Sequence, residues 1–141
     1  MIHQLPEIAV HFPGGKKVDA TFEQFMVKTD QKVKDGGEES APQPFMLFLS
    51  SLATCAGIFV LGYCQSRGID TSGISLTQTQ EMIPDGPTRM RLGKVGIHIT
   101  VPPGFPERER AMLVRVAEQC AVKKVIENPP EFVVEAVTSP G

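Results

Sequence analysis

The amino-acid sequence predicts a single domain of the α+β class. Three observations support this class: strand-like segments in the first and last parts of the chain, an uncharged segment from Ser40 to Ser66, and a second segment of helical periodicity after residue 106. The predicted order is strands, helix, hairpin, helix and strand, which keeps helices and strands in separate runs. A chain of 141 residues is long enough to bury one core.

The composition is that of an ordinary soluble protein. Hydrophobic residues make up 41% and charged residues 21%, and the formal net charge is -2. No basic patch is interleaved with aromatic residues, so nucleic acid and anionic membrane surfaces are not expected partners. The start of the chain lacks a basic segment followed by a long apolar one, which favours a cytoplasmic location.

The residue types that bind metals and cofactors form no recognisable motif. Three cysteines are an odd number without CxxC spacing, and the three histidines, His3, His11 and His98, are scattered. Glycine-rich nucleotide-binding motifs are also missing. We therefore expect no metal and no cofactor, and reduced cysteines rather than a disulfide scaffold.

The first third of the chain predicts strands and a loop. Residues 7–12 (EIAVHF) are rich in apolar side chains and end at the turn signal PGGKK. Residues 22–30 (FEQFMVKTD) partly alternate between apolar and polar side chains, as in a half-buried strand. Residues 32–44 are polar and rich in glycine, which predicts an exposed loop.

One long helix is predicted from Pro44 to Arg67. Proline is suited to a first turn, because its missing N–H would have no helical partner there. Arg67 complements the negative end of the helix dipole, and Gly68 can adopt the left-handed conformation that ends a helix. Because this helix is apolar on all sides, we expect it to be enclosed.

The remaining segments predict a hairpin, a helix and a strand. Residues 73–83 and 91–102 are strand-like and flank the turn signal PDGP. The segment 106–130 carries a second helix, with a buried stripe formed by Leu113, Val116, Ala117 and Cys120. Residues 131–137 (EFVVEAV) predict a last strand.

The long apolar helix is also long enough to cross a bilayer. Ser50, Ser51, Thr54 and Gln65 interrupt its apolar surface, and the flanking segments show little basic asymmetry. A helix buried in a soluble protein, in part against a second subunit, is therefore the favoured interpretation over a membrane span.

The spacing of the cysteines separates Cys64 from the other two. Cys55 and Cys64 are nine residues apart, so they face opposite sides of one helix with about 13 Å of rise between them. A disulfide needs much closer Cα atoms, so these two cannot pair within the helix. Cys120 could meet one of them where the helices pack. A free cysteine is usually a small buried hydrophobe, and we assign Cys64 to packing.

A reactive thiol at Cys55 would need an activating group. Cys55 lies about three turns from Pro44, beyond useful reach of the dipole at the start of that helix. A cation or hydrogen-bond donor must come from elsewhere in the fold to lower the pKa of the thiol. The candidate cations are Lys16, Lys17, Arg89, Arg91, Arg108, Arg110, Arg115 and Lys123.

Two segments resemble the OsmC/Ohr family, the osmotically inducible and organic hydroperoxide resistance proteins. Residues 44–58 (PFMLFLSSLATCAGI) are similar to the first core helix of that family, with a cysteine about a dozen residues from its start. Residues 118–132 (EQCAVKKVIENPPEF) are similar to its second cysteine segment. The chain length and the hairpin between the helices fit as well.

The resemblance implies a fold, an activity and site residues. The fold would be an intertwined homodimer in which antiparallel sheets wrap two central apolar helices. The activity would be reduction of organic hydroperoxides, with Cys55 attacking the peroxide and Cys120 resolving the product to a disulfide. A dithiol would then serve as reductant.

The chain departs from the family pattern at the groups that usually accompany the first cysteine. Family members carry a Glu near the start of the first helix, where this chain has Phe45 and Met46, and an Arg in a GGR context, where this chain has Lys16. Lys16 is thus the possible activating cation, although lysine lacks the planar fork of arginine. The alternative function is a dimer that binds an apolar or thiol-containing small molecule without catalysis.

Overall fold

The structure is a computed structural model that describes residues 1–141. The chain forms two compact units, residues Met1–Ser50 and Ser51–Gly141. Three α-helices and two small antiparallel sheets confirm the predicted α+β class.

The first unit contains a three-stranded antiparallel sheet of β1 (Ala9–Gly14), β2 (Lys17–Phe22) and β3 (Phe25–Thr29), in the order β1-β2-β3. The sequence predicted β1 and β3 but not β2. Gly14 pairs with Lys17, so the turn after β1 is only two residues long and the next strand begins within the predicted turn. Gly15 takes the left-handed conformation that this tight turn requires, at φ 59°.

A buried carboxylate organises the loop that follows β3. Asp30 is fully buried, and its oxygens accept hydrogen bonds from the backbone N–H groups of Gln31, Glu38 and Ser40. The Ser40 hydroxyl donates a further bond at 2.6 Å. The loop 31–43, which includes a short 3-10 helix at Val33–Asp35, therefore folds around one anion.

The helix α1 runs from Pro44 to Arg67, as predicted. Its end is capped by Gly68 at φ 67°, and the N–H of Ile69 donates to the Cys64 carbonyl at 2.8 Å. It is the one helix long and apolar enough to cross a membrane, with a mean hydropathy of 2.1 in its most apolar window. Only 22% of that window is buried, so the expected enclosure is not reached within this single chain.

The second unit contains a β-hairpin and two shorter helices. The strands β4 (Ser75–Pro84) and β5 (Met90–Thr100) pair antiparallel as predicted, with an irregularity in the pairing between Glu81 and Met82. The helices α2 (Glu107–Ala117) and α3 (Ala121–Glu127) follow. The core cluster of this unit contains Val60 and Cys64 of α1 and Leu113 of α2. Side chains of the hairpin pack against it, among them Leu76 and Ile99.

Two expectations for the last third of the chain were wrong. The predicted second helix is divided, because α2 ends at Ala117 and Cys120 caps the start of α3. The predicted last strand is not formed, since residues 128–141 have no regular secondary structure. Its apolar side chains remain exposed, Val134 at 94%, because no strand of the same chain pairs with them.

Candidate thiol site

Cys55 and Cys120 lie next to each other in the second unit. Cys55 is on α1, and Cys120 is the residue immediately before α3. A hydrogen bond joins their side chains. The Cys120 sulfur also lies 3.9 Å from the carbonyl oxygen of Leu52, one helical turn before Cys55. The fold therefore brings together two thiols that are far apart in the sequence.

Backbone N–H groups surround the Cys55 sulfur. The N–H of Val122 donates a hydrogen bond to it, and this bond is the main cause that lowers the pKa of Cys55 below that of an ordinary thiol. The Cys120 thiol and the N–H of Ala121 lower this pKa further, while partial burial opposes them. Cys55 is thus the more acidic of the two thiols, and it remains partly exposed.

Cys120 has the opposite character. Its side chain is only 2% exposed, and burial raises the pKa of the Cys120 thiol. The N–H of Lys123, 3.4 Å from the sulfur, opposes this effect in part. When the pair holds a single proton, the proton therefore sits on Cys120, whose S–H can donate to the Cys55 thiolate.

A cavity of about 640 Å³ lies against the Cys120 side of the pair. Its walls are mostly apolar, and they come from α1, β5, α2 and α3. Lys94, Arg110 and Lys123 add positive charge, while Glu118 and Glu127 add negative charge. A largely apolar pocket with a few charged groups is typical of small-molecule sites.

The third cysteine lies in the core, as predicted. Cys64 is fully buried among Val60 and Leu113, and burial raises the pKa of its thiol. Such a thiol is held in its neutral form and is a poor nucleophile.

The cations proposed from the sequence lie in different parts of the chain. Lys16 belongs to the turn between β1 and β2 in the first unit, where its side chain extends towards Gly36. Its neighbour Lys17 forms an ion pair with Glu38 at 2.8 Å. Of the eight candidates, Arg110 and Lys123 line the cavity beside Cys120. The groups that lower the pKa of Cys55 are all hydrogen-bond donors, with no cation among them.

The backbone N–H donors at the start of α3 were not predicted from the sequence. The helical stripe through Ala117 and Cys120 predicted one continuous helix, in which the N–H groups of Ala121 and Val122 would bond within the helix. The break after α2 frees these groups for Cys55 instead. No glycine or proline marks this break in the sequence. No group of three or more histidine, cysteine or acidic side chains is arranged to hold a metal ion.

Comparison with protein-family models matches residues 36–135 to the OsmC-like protein family. This chain belongs to that family. The matched range extends into both units and includes Cys55 and Cys120. A comparison with curated protein sequences gave no match.

Solved structures of OsmC-like proteins share the fold. A Psychrobacter arcticus protein assigned to the osmotic stress and detoxification response is 24% identical, with a TM-score of 0.71 over 87% of this chain and 89% of its own. The organic hydroperoxide resistance protein OsmC of Legionella pneumophila is 21% identical, with a TM-score of 0.64 over 91% and 93%. A Vibrio cholerae protein with captopril bound in one of its active sites is 19% identical, with a TM-score of 0.61 over 90% and 89%.

Proposed function

We propose that this OsmC-like protein is a thiol-dependent peroxidase that reduces organic hydroperoxides, with Cys55 as the peroxidatic thiol and Cys120 as the resolving thiol. The observation that carries the proposal is the contact between the two side chains, in which backbone N–H groups lower the pKa of the partly exposed Cys55 while burial raises that of Cys120. Legionella pneumophila and Bacillus subtilis have proteins of this fold that are named for organic hydroperoxide resistance.

The first step is attack by the Cys55 thiolate on the terminal oxygen of the hydroperoxide. An S–O bond forms, the O–O bond breaks, and Cys55 becomes a sulfenic acid while the leaving alkoxide takes a proton to become an alcohol. The N–H groups of Val122 and Ala121 support this step, because they favour the thiolate over the thiol.

The second step joins the two sulfurs. The Cys120 thiol attacks the Cys55 sulfenic acid, a disulfide forms and water leaves. Burial keeps Cys120 protonated in the resting protein, so Cys55 reacts first and Cys120 second. A dithiol then reduces the disulfide through a mixed disulfide and restores both thiols.

The surroundings of the pair suit an apolar substrate. The cavity beside Cys120 is mostly apolar, so an alkyl or aryl hydroperoxide would bury its hydrocarbon part there. Lys16 is proposed as a further activating cation, in place of the arginine that family members use. The proposal extends to one OsmC-like domain over residues 1–141 acting as a cytoplasmic homodimer, in which a second copy covers the exposed side of α1.

The test is consumption of cumene hydroperoxide by the purified protein with a dithiol reductant. Unchanged protein and Cys64→Ser should turn over, while Cys55→Ser should be inactive. Without the dithiol, Cys120→Ser should stop at the Cys55 sulfenic acid and form no disulfide, because that sulfenic acid has no partner thiol in the chain. Equal activity in Cys55→Ser and unchanged protein would contradict the proposal.

A second candidate function is binding of an apolar or thiol-containing small molecule without turnover. Two observations favour it: the chain has Phe45 and Met46 where family members carry a glutamate, and the cavity is large enough for such a ligand. The Vibrio cholerae relative that holds captopril in an active site gives a precedent in this fold. Calorimetry with captopril would support this candidate if the Cys55→Ala variant bound it as the unchanged protein does while both left hydroperoxide intact.

A further inference from the structure

The start of α3 depends on the two sulfur atoms of the thiol pair. An α-helix leaves four N–H groups without helical partners, those of its Ncap residue and of its first three helical residues. In α3 the N–H groups of Ala121 and Val122 donate to Cys55, and that of Lys123 donates to the Cys120 sulfur at 3.4 Å. The N–H of Lys124 makes the first regular helical bond, to the Cys120 carbonyl at 3.2 Å. Of the four N–H groups without a helical partner, all but that of Cys120 itself are therefore satisfied by sulfur.

Little else holds α3 in place. It has only seven residues, and none of its side chains is fully buried. The apolar side chains of Val125 and Ile126 are 53% and 49% exposed. Isolated helices of this length are marginal in water, so α3 relies on its cap more than a well-packed helix does.

The same short helix forms one wall of the cavity. Lys123, Ile126 and Glu127 of α3 line it, opposite apolar residues of β5 that include Val95 and Ile97. A displacement of α3 would therefore widen the cavity on the side where Cys120 lies.

We propose that α3 is a redox-controlled flap, held closed by the reduced thiol pair and released when the Cys55–Cys120 disulfide forms. This inference rests on the proposed function, which supplies the hydroperoxide as oxidant. Disulfide formation converts an anionic sulfur, a strong acceptor, into a neutral disulfide sulfur, a weak one, and it removes the S–H proton of Cys120. The N–H groups of Ala121 and Val122 then lose their strong acceptor, and the helix loses most of its N-terminal cap.

Release of α3 has a consequence for the catalytic cycle. The alcohol product leaves an apolar cavity that has lost one wall, and the dithiol reductant gains access to a sulfur that is 2% exposed in the reduced protein. Reduction regenerates the thiolate, which recaps α3 and closes the cavity before the next hydroperoxide reacts.

Hydrogen–deuterium exchange followed by mass spectrometry tests this flap on the full-length protein. The protein is compared after reduction with dithiothreitol, after one equivalent of cumene hydroperoxide, and after diamide, a thiol oxidant that needs no peroxidase activity. Intact mass and peptide mapping establish the disulfide in each sample. Amides 121–124 should exchange roughly tenfold faster in the disulfide form, as expected for loss of a helix cap, while those of β4 and β5 stay unchanged.

Two variants separate the outcomes. Cys55→Ala should show fast exchange at residues 121 and 122 without any oxidant, and Cys64→Ala should respond as the unchanged protein does. A disulfide formed by diamide but not by hydroperoxide would overturn the proposed function. The flap would still be tested in that case, because exchange at residues 121–124 can be compared between the diamide-oxidised and the reduced protein. A disulfide with unchanged exchange at residues 121–124 would overturn the flap, and so would slow exchange in Cys55→Ala that is folded by circular dichroism.

Discussion

Two regions of this protein gather backbone N–H groups around an acidic side chain, and they do so to different ends. In the first unit Asp30 accepts three backbone N–H groups and one hydroxyl, and it is fully buried. In the second unit Cys55 accepts two backbone N–H groups and one thiol, and it stays partly exposed. Asp30 is saturated and closed to solvent, which suits a structural anion. Cys55 keeps an open side next to a second thiol, which suits a nucleophile.

The Cys55→Ser variant should give the largest effect on function. Serine has no thiolate at neutral pH, so the rate of hydroperoxide consumption should fall by roughly three orders of magnitude or more, as for loss of other enzyme nucleophiles. Steady-state peroxide assays measure this fall. Cys64→Ser is the matched control on the same helix, and an equal loss of rate in both variants would show that α1 packing rather than chemistry is affected.

The Asp30→Ala variant should give the largest effect on stability in the first unit. It leaves the N–H groups of Glu38 and Ser40 without their acceptor, so the melting temperature should fall by several degrees. Thermal unfolding followed by circular dichroism measures it. Asp35→Ala, an exposed carboxylate in the same loop, should leave the melting temperature nearly unchanged. Equal effects of the two variants would contradict the structural role of Asp30.

The dependence of stability on acid pH should also differ between the Asp30→Ala and Asp35→Ala variants. Hydrogen bonds, first that of Ser40, lower the pKa of Asp30 from 3.8 to about 2. Because the folded-state pKa is lowered, its stabilisation is fully present above the ordinary value and is lost as the pH falls from about 4 to about 2. Urea unfolding between these pH values should show a weaker acid dependence in Asp30→Ala than in Asp35→Ala. The same slope in both variants would contradict this assignment.

The pH dependence of alkylation should distinguish the two thiols of the site. The Val122 N–H lowers the pKa of Cys55 and burial raises that of Cys120, so iodoacetamide should modify Cys55 first at neutral pH. At a pH below both pKa values, the alkylation rate of Cys55 should exceed that of Cys120 by about tenfold for each unit by which the two pKa values differ. Peptide mapping of protein alkylated at several pH values gives the ratio. Preferential modification of Cys120 would reverse the assigned roles.

The smallest effect is expected from Cys64→Ala. Removing one buried sulfur from the core beside Val60 and Leu113 should lower the free energy of unfolding by about 1 kcal/mol, as for other small cavities. The rate of hydroperoxide consumption should not change. Urea unfolding and the peroxide assay measure the two quantities, and a loss of activity in a folded Cys64→Ala protein would give this thiol a role beyond packing.

The sequence predicted one element of the site much better than the other. The bounds of α1 were predictable, because Pro44, Arg67 and Gly68 are local signals at its two ends. The break between α2 and α3 was not, because the stripe of Leu113, Ala117 and Cys120 continues at helical spacing across it. The donors for Cys55 depend on that break, so only the folded chain reveals them.

The prediction of a last strand was wrong for a different reason. Residues 131–137 have the composition of a strand, but strand formation needs a partner with free backbone groups. No strand of the chain pairs with them, so Phe132 and Val134 stay exposed. The local sequence pattern predicted the strand propensity of this segment, but the segment forms no strand because it has no paired neighbour.

The proposed reaction requires that the sulfurs of Cys55 and Cys120 react and that of Cys64 does not. The decisive measurement is peptide mapping by mass spectrometry of the reduced protein after one equivalent of cumene hydroperoxide, with free thiols blocked before digestion. We predict a Cys55–Cys120 disulfide and a blocked, unoxidised Cys64. Three free thiols after complete mixing, or a disulfide that includes Cys64, would contradict the account.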